Sequence, residues 1–472
     1  MHRFLVSAAH KSSGKTTVSI GLCAALRARG LAVQPYKKGP DYIDPLWLSE
    51  AAGRACRNLD FHLAQGSELI AQFARHGHAA DVCLVEGNKG LYDGLDLHGA
   101  NSNAALAHLL DLPVVLVLDA RGMTRGIAPL ILGYQAFDRE LRIAGVILNR
   151  LGGSRHESKL RAVIEHYTDV PVLGAIHEDP RMALCERHLG LIPANESGEA
   201  APRIAAIGER VAAQVDIERL LALTLATTAL PTPMPARLPA KSGLRIAIAR
   251  DAAFGFYYAD DLDAFAAAGA ELVPFDSLHD ARLPQADGLF IGGGFPESFL
   301  DQLEANASLR ADIHAAIEAG LPAYAECGGL MYLSRSITWQ GRCRRMVGNI
   351  EGDVMMHAKP VGRGYVSLAA TTAHPWLEDG TSIPAHEFHY SGIEGLAADT
   401  RYAYRMTRGH GIDGSRDGIV HKNLLASYTH LRSTPTFDWV AQFVQFVRFV
   451  KFVADARAGE AQQLPQQHLC LQ

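Results

Sequence analysis

The run AAHKSSGKTT, residues 8–17, combines the residue types that hold phosphate groups. It follows an apolar strand-like run and leads into a helical pattern. In such a loop the backbone N–H groups cradle phosphates, the Lys15 ammonium reaches the β and γ oxygens, and the Thr16 hydroxyl meets Mg²⁺. The usual first glycine is replaced by Ala9, although strand and helix are both in place. The run predicts a P-loop that binds ATP through Ser13, Gly14, Lys15, Thr16 and Thr17.

P-loop chemistry also needs acidic metal ligands, which are expected at the carboxyl ends of neighbouring strands. Glu86 ends the apolar run VCLVE and is predicted to bind the metal with Thr16. Asn149 ends the run GVILN, where its amide is predicted to read the nucleotide base. The run YKKGPDYIDP, residues 36–45, is predicted to be a Gly/Pro-bounded loop whose interleaved charges suit a metal and a carboxylate substrate better than a plain solvated turn. Its charged residues are Lys37, Lys38, Asp41 and Asp44.

A second chemical site is indicated by PAYAECGGLMYL, residues 322–333. A short apolar run ends at Glu326, Cys327 follows, and helical spacing resumes after two glycines. A thiol at such a strand-to-helix turn projects beyond the sheet, where backbone N–H groups can hold an oxyanion. Gly328, with Gly293 and Gly294 of the run FIGGGFPES, is predicted to supply this oxyanion site. Cys343, in GRCRR, has basic neighbours but no glycine turn and is the weaker nucleophile.

A cysteine nucleophile needs a base, and the chain contains 21 histidines. Two locations are favoured. His386 and His389 lie in AHEFHYS, and His430 follows the strand-like run LLASY. Spacing alone does not choose between these locations.

The elements that must position these residues alternate as strands and helices in both halves of the chain, which predicts parallel sheets with crossover helices. Between the halves, residues 226–243 contain four prolines, and this composition is typical of a linker. We therefore predict two α/β domains, residues 1–225 and 244–472. Near the end, WVAQFVQFVRFVKFVADAR is interpreted as a helix that packs one face on the second domain, with a membrane-surface helix as the alternative.

Composition narrows the class of protein. The chain has 472 residues, of which 48% are hydrophobic and 20% charged, and its formal net charge is −5. This mildly acidic balance argues against nucleic acid as a partner. The seven scattered cysteines have no metal-ligand spacing and suggest reduced thiols. With neither a signal peptide nor a membrane span in the sequence, we expect a cytoplasmic protein that acts on small molecules.

Taken together, these runs resemble the cobyrinate a,c-diamide synthase family over nearly the whole chain. This family comprises glutamine-dependent amidoligases of corrin biosynthesis. The matching runs are SGKTT, KKGPDYIDP, NLD, GLYDG, ERHLGLIP, FGFYY, GGGFPE, AECGGLMYL, HEFHYS and ASYTH.

The resemblance implies a P-loop synthetase domain similar to dethiobiotin synthetase and a class I, triad-type glutaminase domain. It assigns the nucleophile to Cys327 and the base to His430, with ATP and Mg²⁺ as cofactors. It implies amidation of two acetate side chains of cobyrinate or hydrogenobyrinate, and the sequence leaves open whether the protein is a monomer or a homodimer. The residues it implies for the metal are Thr16, Asp41 and Glu86, and those for the substrate are Lys38, Asp41, Tyr42, Asp44 and Asp93.

Two positions depart from the family pattern. Asn88 and Lys89 stand where Val-Met is common, and relatives of the family amidate other acetate-bearing macrocycles, so sirohaem is an alternative substrate. Arg432 stands where a second histidine is common. An arginine has no acceptor for an imidazole N–H, which leaves the third triad member unassigned. A P-loop switch ATPase and an inactive glutaminase domain are more distant alternatives.

Overall fold

The computed structural model describes residues 1–184, 186–187, 190–226, 228–232 and 243–463. The chain divides into two compact units, Met1–Ala236 and Arg237–Gln472. Each unit is built of helices and strands, which confirms the predicted pair of α/β folds. The predicted linker falls largely on residues 227 and 233–242, which lie outside the described residues, so the domain boundaries at 225 and 244 stay predictions.

The first unit contains a parallel sheet with the strand order β3-β2-β4-β1-β5-β6-β7 and a small antiparallel pair, β8 and β9. The strands are β1 (His2–Ala8), β2 (Val33–Lys38), β3 (Arg57–Leu59), β4 (Val82–Glu86), β5 (Val114–Asp119), β6 (Ile143–Leu151), β7 (Val172–His177), β8 (Glu186–Arg187) and β9 (Gly190–Leu191). The helices are α1 (Lys15–Ala28), α2 (Ile43–Ala52), α3 (Gly66–Gly77), α4 (Asn103–Leu110), α5 (Ile127–Phe137), α6 (Ser154–Tyr167), α7 (Ala200–Gln214) and α8 (Ile217–Thr224), with a 3₁₀ turn at Pro180–Met182.

Hydrophobic clusters cover both faces of this sheet, as the continuous apolar strands require. Phe4 and Val6 of β1 pack into one cluster, and Leu5 packs into the other. Because β1 lies between β4 and β5, its carboxyl end opens beside the end of β4, and β2 lies next in order. The P-loop, Glu86 and the lysines of β2 therefore meet at one edge of the sheet.

The predicted loop at residues 36–45 is partly wrong. Lys37 and Lys38 are the last two residues of β2 and are buried, while Asp44 lies in the first turn of α2. Lysines are rarely the last residues of a buried strand, because burying an ammonium without a partner is costly. The start of this run is therefore a strand and not a loop, because Lys37 has a carboxylate partner and Lys38 has an amide partner.

The second unit contains a mixed sheet with the order β12-β10-β13-β15-β24-β23-β22-β19-β20, together with a four-stranded sheet, β17-β16-β18-β21, and the pair β11-β14. Its strands are β10 (Leu244–Ala249), β11 (Phe254–Phe256), β12 (Ala270–Phe275), β13 (Gly288–Ile291), β14 (Gly293–Gly294), β15 (Ala323–Glu326), β16 (Ser334–Trp339), β17 (Arg342–Arg345), β18 (Ile350–Met356), β19 (Gly362–Ala370), β20 (Ser382–His389), β21 (Ser391–Glu394), β22 (Arg401–Arg408), β23 (Arg416–His421) and β24 (Leu424–Ser427). The helices are α9 (Ala259–Ala267), α10 (Leu300–Ala305), α11 (Ala307–Glu318), α12 (Gly328–Leu333) and α13 (Trp439–Gln463), with a 3₁₀ turn at Pro296–Phe299.

The centre of the mixed sheet carries the residues of the second predicted site. β13, β15 and β24 are adjacent and parallel, and Glu326 at the end of β15 pairs with Ser427 at the end of β24. Cys327 and His430 follow these two ends. Neighbouring parallel strands thus bring together residues about a hundred positions apart in the chain.

The C-terminal stripe forms α13, whose residues Trp439, Phe443 and Val447 are buried in the core of the second unit. This confirms the packing interpretation of that segment, although Phe449 and Phe452 on the same helix are exposed. No helix in the described part of the chain is long and apolar enough to cross a membrane. The cysteines that the structure describes are free thiols, namely Cys23, Cys56, Cys83, Cys327 and Cys343.

Candidate active sites

The P-loop follows β1 and ends where α1 begins at Lys15. Gly14 has a left-handed backbone with φ of 86°. Its N–H and those of the first turn of α1 lack helical acceptors, which suits an anion. Asn149 donates from Nδ2 to the carbonyl oxygen of Ser13 at 2.9 Å, and a Cβ at position 14 would lie 2.1 Å from that same nitrogen. Asn149 thus buttresses the loop, and its reading of the base stays a prediction.

Gly14→Ala tests this geometry. Alanine is strained in the left-handed region and would collide with Asn149, so we expect nucleotide affinity to fall by about tenfold or more. Gly133→Ala is the matched control, since Gly133 is an exposed position of helix α5 with no atom near its Cβ position. That change should raise the free energy of unfolding by about 0.5–1 kcal/mol and leave nucleotide affinity unchanged. Equal affinity in both variants would contradict the P-loop role.

An ionic cluster lies beside the P-loop, and its central residue is Lys37. The Lys37 ammonium donates to Glu86 Oε1 at 2.9 Å and to Asp44 Oδ2 at 2.5 Å, and lies 3.7 Å from Asp41 Oδ2. Thr16 donates from Oγ1 to Glu86 Oε1 at 2.8 Å. The structure therefore brings together the predicted metal residues Thr16, Asp41 and Glu86. Sequence reasoning noted Lys37 but assigned it no role.

Burial and mutual contact set the protonation of this cluster. Burial and the neighbouring Asp44 carboxylate raise the pKa of Asp41 to about 7. Burial also raises the pKa of Glu86. Although burial alone would lower the pKa of Lys37, the carboxylates of Asp44 and Glu86 raise it well above its ordinary value. Lys37 is thus a fixed cation that neutralises part of the acidic cluster.

The same cluster fits a magnesium ion. Carboxylate and hydroxyl oxygens are the ligands that Mg²⁺ prefers, and three carboxylates converge here beside Thr16. Glu86 is fully buried, and its second oxygen, Oε2, has no hydrogen-bond partner among the described residues. A buried carboxylate oxygen left without a donor is costly unless a cation satisfies it.

The predicted substrate residues border this cluster. Lys38 donates from Nζ to Asn88 Oδ1 at 3.0 Å, and burial lowers the pKa of Lys38 to about 8. Tyr42 immediately precedes α2, and Asp93 accepts from the Gly90 N–H at 2.9 Å in the loop after β4. Asn88, one of the residues that depart from the family pattern, therefore positions Lys38, which is predicted to bind the substrate.

Nucleotide binding should depend on pH through Lys15. Burial, and then the Lys37 ammonium, lower the pKa of Lys15 to about 8, although the carboxylates of Glu86, Asp44 and Asp93 oppose the shift. Lys15 loses its charge as the pH rises through this value, so affinity for an ATP analogue should fall by up to about tenfold per unit between about pH 8 and pH 10. In Lys15→Arg the cation persists, and we expect a flatter profile in the same titration. Identical slopes would contradict a role for Lys15.

The second site centres on Cys327, between β15 and α12. Cys327 has φ of 49° and ψ of −104°, a backbone conformation that is strained for any residue with a Cβ. The side chain is nearly buried, and Sγ lies 3.9 Å from the Phe388 carbonyl oxygen. Such a strained turn agrees with the predicted nucleophile.

His430 contacts Cys327 through its imidazole, and its Nδ1 lies 3.4 Å from Glu326 Oε2. Burial alone would lower the pKa of His430, but the neighbouring Cys327 and the Glu326 carboxylate raise it to about 10. His386 stacks on the His430 ring, with centroids 4.8 Å apart. His389 stacks instead on Tyr428, at 3.9 Å. Geometry therefore favours His430 as the partner of the thiol.

The predicted oxyanion glycines surround the same turn. A Cβ on Gly328 would lie 3.0 Å from both the nitrogen and the oxygen of Gly294, and one on Gly293 would lie 2.7 Å from His430 Cε1. The start of α12 and strand β14 therefore approach at a distance that only glycine allows. Their role as oxyanion donors stays a prediction.

The Arg432 guanidinium contacts an acidic and an aromatic side chain. It pairs with Asp260 at 3.0 Å and stacks over the Tyr258 ring at 5.2 Å. Sequence reasoning missed Glu326, which it treated only as a strand end. The sequence shows that Glu326 directly precedes Cys327. No spacing rule, however, predicts that the residue before a nucleophile will contact a histidine far along the chain.

The fold and the two sites define a two-part enzyme class, in which a P-loop nucleotide-binding unit is joined to a glutamine amidotransferase unit. Comparisons with known proteins agree. Residues 5–191 match the family described as CobQ/CobB/MinD/ParA nucleotide binding domain, and residues 245–435 match the CobB/CobQ-like glutamine amidotransferase domain.

Several curated relatives cover almost the whole chain. The cobyrinate a,c-diamide synthase of Magnetococcus marinus is 45% identical over 93% of this chain and 95% of its own length. Those of Methanosarcina acetivorans and Listeria innocua are 42% and 41% identical, over 91% of this chain and 92% and 96% of their own lengths. The chain belongs to the cobyrinate a,c-diamide synthase family.

Proposed function

We propose that this protein is an ATP- and glutamine-dependent ligase that amidates the a and c acetate carboxylates of cobyrinate, or of hydrogenobyrinate, in cobalamin biosynthesis. The observation that carries this proposal is the 45% identity to a cobyrinate a,c-diamide synthase over 93% of the chain. The P-loop switch ATPase is disfavoured, since it leaves the amidotransferase domain at residues 245–435 without a purpose.

The glutaminase unit would release ammonia. Cys327 Sγ attacks the side-chain carbonyl carbon of glutamine and forms a carbon–sulfur bond, while the backbone N–H of Gly328 holds the oxyanion. The carbon–nitrogen bond then breaks, and His430 gives its proton to the leaving ammonia. Water attacks the thioester, glutamate leaves, and the thiol is restored. The balance is glutamine and water to glutamate and ammonia.

The synthetase unit would activate the acceptor carboxylate. A carboxylate is a poor acceptor for ammonia until one oxygen becomes part of a leaving group. Its oxygen attacks the γ-phosphorus of ATP, ADP leaves, and ammonia displaces phosphate from the resulting acyl phosphate to give an amide. Lys15 and the P-loop amides would hold the β and γ phosphates, and Lys38 would orient the substrate carboxylate.

Magnesium would be held by Thr16, Asp41 and Glu86, and would neutralise charge on the β and γ phosphates. Lys37 would keep the carboxylates of Asp44 and Glu86 ionised and in place for this role.

The proposal is tested by mass spectrometry of the products that form from ATP, Mg²⁺, glutamine and one macrocycle per reaction. Cobyrinate, hydrogenobyrinate and sirohaem are compared. We expect two carboxylates of cobyrinate or hydrogenobyrinate to become amides, while sirohaem stays unchanged. Amidation of sirohaem alone would retain both mechanisms but overturn the corrin substrate. Asn88 and Lys89 would then be the first positions to examine, because Asn88 contacts Lys38, the lysine proposed to bind the substrate.

A further inference from the structure

We infer that Glu326 is the carboxylate that orients His430, so that the acid of the glutaminase triad directly precedes the nucleophile in the chain. This inference rests on the proposed glutaminase function of Cys327 and His430. Glu326 is a positioning residue, because it acts on the substrate only through the imidazole.

The two oxygens of the Glu326 carboxylate contact different groups. Oε1 accepts from the Tyr324 hydroxyl at 2.8 Å and from the Leu431 N–H at 2.7 Å. These donors hold one oxygen and leave Oε2 facing His430 Nδ1 at 3.4 Å. Both side chains are almost completely buried, so the ion pair is shielded from water. A carboxylate at Nδ1 fixes the tautomer and leaves Nε2 as the nitrogen that exchanges protons with the substrate.

The backbone explains how adjacent residues can serve one imidazole. Successive side chains of a strand point to opposite faces, so Glu326 and Cys327 would normally diverge. The positive φ of Cys327, 49°, breaks this alternation just after β15 ends. The parallel pairing of Glu326 with Ser427 then places the residues after β24, including His430, beside both side chains. The strained turn thereby exposes the thiol and lets its neighbour reach the base.

Other nearby carboxylates have different partners. Asp260 pairs with Arg432, and Asp261 accepts from the Ser433 N–H and from the Trp439 indole. Glu387 accepts from the N–H groups of His410 and Gly411. The Glu326 carboxylate, by contrast, lies within ion-pair distance of the His430 imidazole.

The charge of Glu326 should be visible in the pH dependence of glutaminase activity. The groups that face the His430 ring are the Cys327 thiol, the Glu326 carboxylate and the stacked His386 imidazole. Burial, and then the charge of Glu326 among other neighbours, raises the pKa of three further groups, Tyr257, Asp261 and Tyr404. Catalysis needs the protonated imidazole, so activity should decline as the pH rises through the pKa of His430, about 10. Removing a carboxylate that favours the protonated ring lowers that pKa and moves the alkaline limb to lower pH.

The test measures glutamate release from glutamine as a function of pH in the full-length protein and in Glu326→Asp and Glu326→Gln. In Glu326→Gln we expect kcat/KM to fall by about 10- to 100-fold, mainly through kcat. We expect the alkaline limb to move down by about one pH unit or more. Glu326→Asp keeps the negative charge, but its side chain is one methylene shorter and holds the carboxylate further from His430. We expect intermediate values of kcat/KM and of the position of the alkaline limb. Should Glu326→Gln fail to fold, the partial shift in Glu326→Asp remains a test.

The matched control is Asp417→Asn. Asp417 is a fully buried carboxylate whose oxygens accept from the N–H groups of Gly418, Tyr428 and Thr429. This change should lower the melting temperature without moving the alkaline limb. Unchanged limbs in both Glu326 variants would overturn the inference, even if kcat fell, because a merely structural role lowers activity without a shift. Glutaminase activity that survives Cys327→Ala would instead overturn the proposed function.

Discussion

Cys327→Ala should abolish glutamine-dependent amidation and leave ammonium-dependent amidation intact. Glutaminase activity should fall by at least about 10³-fold, because the thiol that forms the thioester is lost. With ammonium chloride as the nitrogen source, the variant should amidate the macrocycle at a rate close to that of the unmodified protein, because the P-loop unit keeps all its residues. Product formation is followed by mass spectrometry, and glutamate release by a coupled assay.

Cys343→Ala is the matched control for this prediction. Cys343 is an exposed thiol in the same unit and lies on β17 rather than at the strained turn. We expect it to retain both activities. If Cys327→Ala lost ammonium-dependent amidation although its circular dichroism and melting temperature were unchanged, the assignment of the two reactions to two separate sites would be wrong.

Glu86→Gln should have the opposite effect. The amide keeps the size of the side chain but removes the charge that pairs with Lys37 and leaves a poorer metal ligand beside Thr16. ATP-dependent amidation should fall by about 10²-fold or more with either nitrogen source. Glutaminase activity should be largely retained. Steady-state assays of both reactions, run over a range of Mg²⁺ concentrations, make this comparison.

The control for Glu86→Gln is Glu50→Gln, which removes an exposed carboxylate on α2 of the same unit. It should change neither reaction. A Glu86→Gln protein that bound an ATP analogue and Mg²⁺ as tightly as the unmodified protein, and amidated at the same rate, would remove Glu86 from the metal site. Equal losses of amidation and glutaminase would indicate a global defect instead.

Much of the fold could be predicted from the sequence, because buried parallel strands and helix periodicity leave strong patterns. The strand that ends at Glu86 and the turn at Cys327 were located by such patterns. Lys37 was placed in a loop because a lysine pair contradicts the apolar pattern of a buried strand. Only the carboxylates of Asp44 and Glu86, brought together by folding, make that strand stable with its lysines.

Prediction of the glutaminase base from the sequence was limited for a different reason. Spacing alone did not choose between His386 and His389, in AHEFHYS, and His430, which follows the run LLASY. The structure separates them by contact, because His430 follows β24, beside β15, and reaches Cys327, whereas His386 stacks on the His430 ring and His389 stacks on Tyr428. Glu326 was overlooked for the same reason. Its role depends on strand register and on a positive φ at Cys327, and neither can be predicted from residue types alone.

The most direct test of the central claim, that the two units perform one amidation, is to follow the amide nitrogen of glutamine. Purified protein is incubated with ATP, Mg²⁺, cobyrinate and glutamine labelled with ¹⁵N at the side-chain amide, and the product is weighed by mass spectrometry. We expect the diamide to carry two ¹⁵N atoms from glutamine, and the label to be absent when Cys327→Ala replaces the unmodified protein and unlabelled ammonium is supplied. Release of labelled ammonia without any labelled amide on the macrocycle would contradict the account.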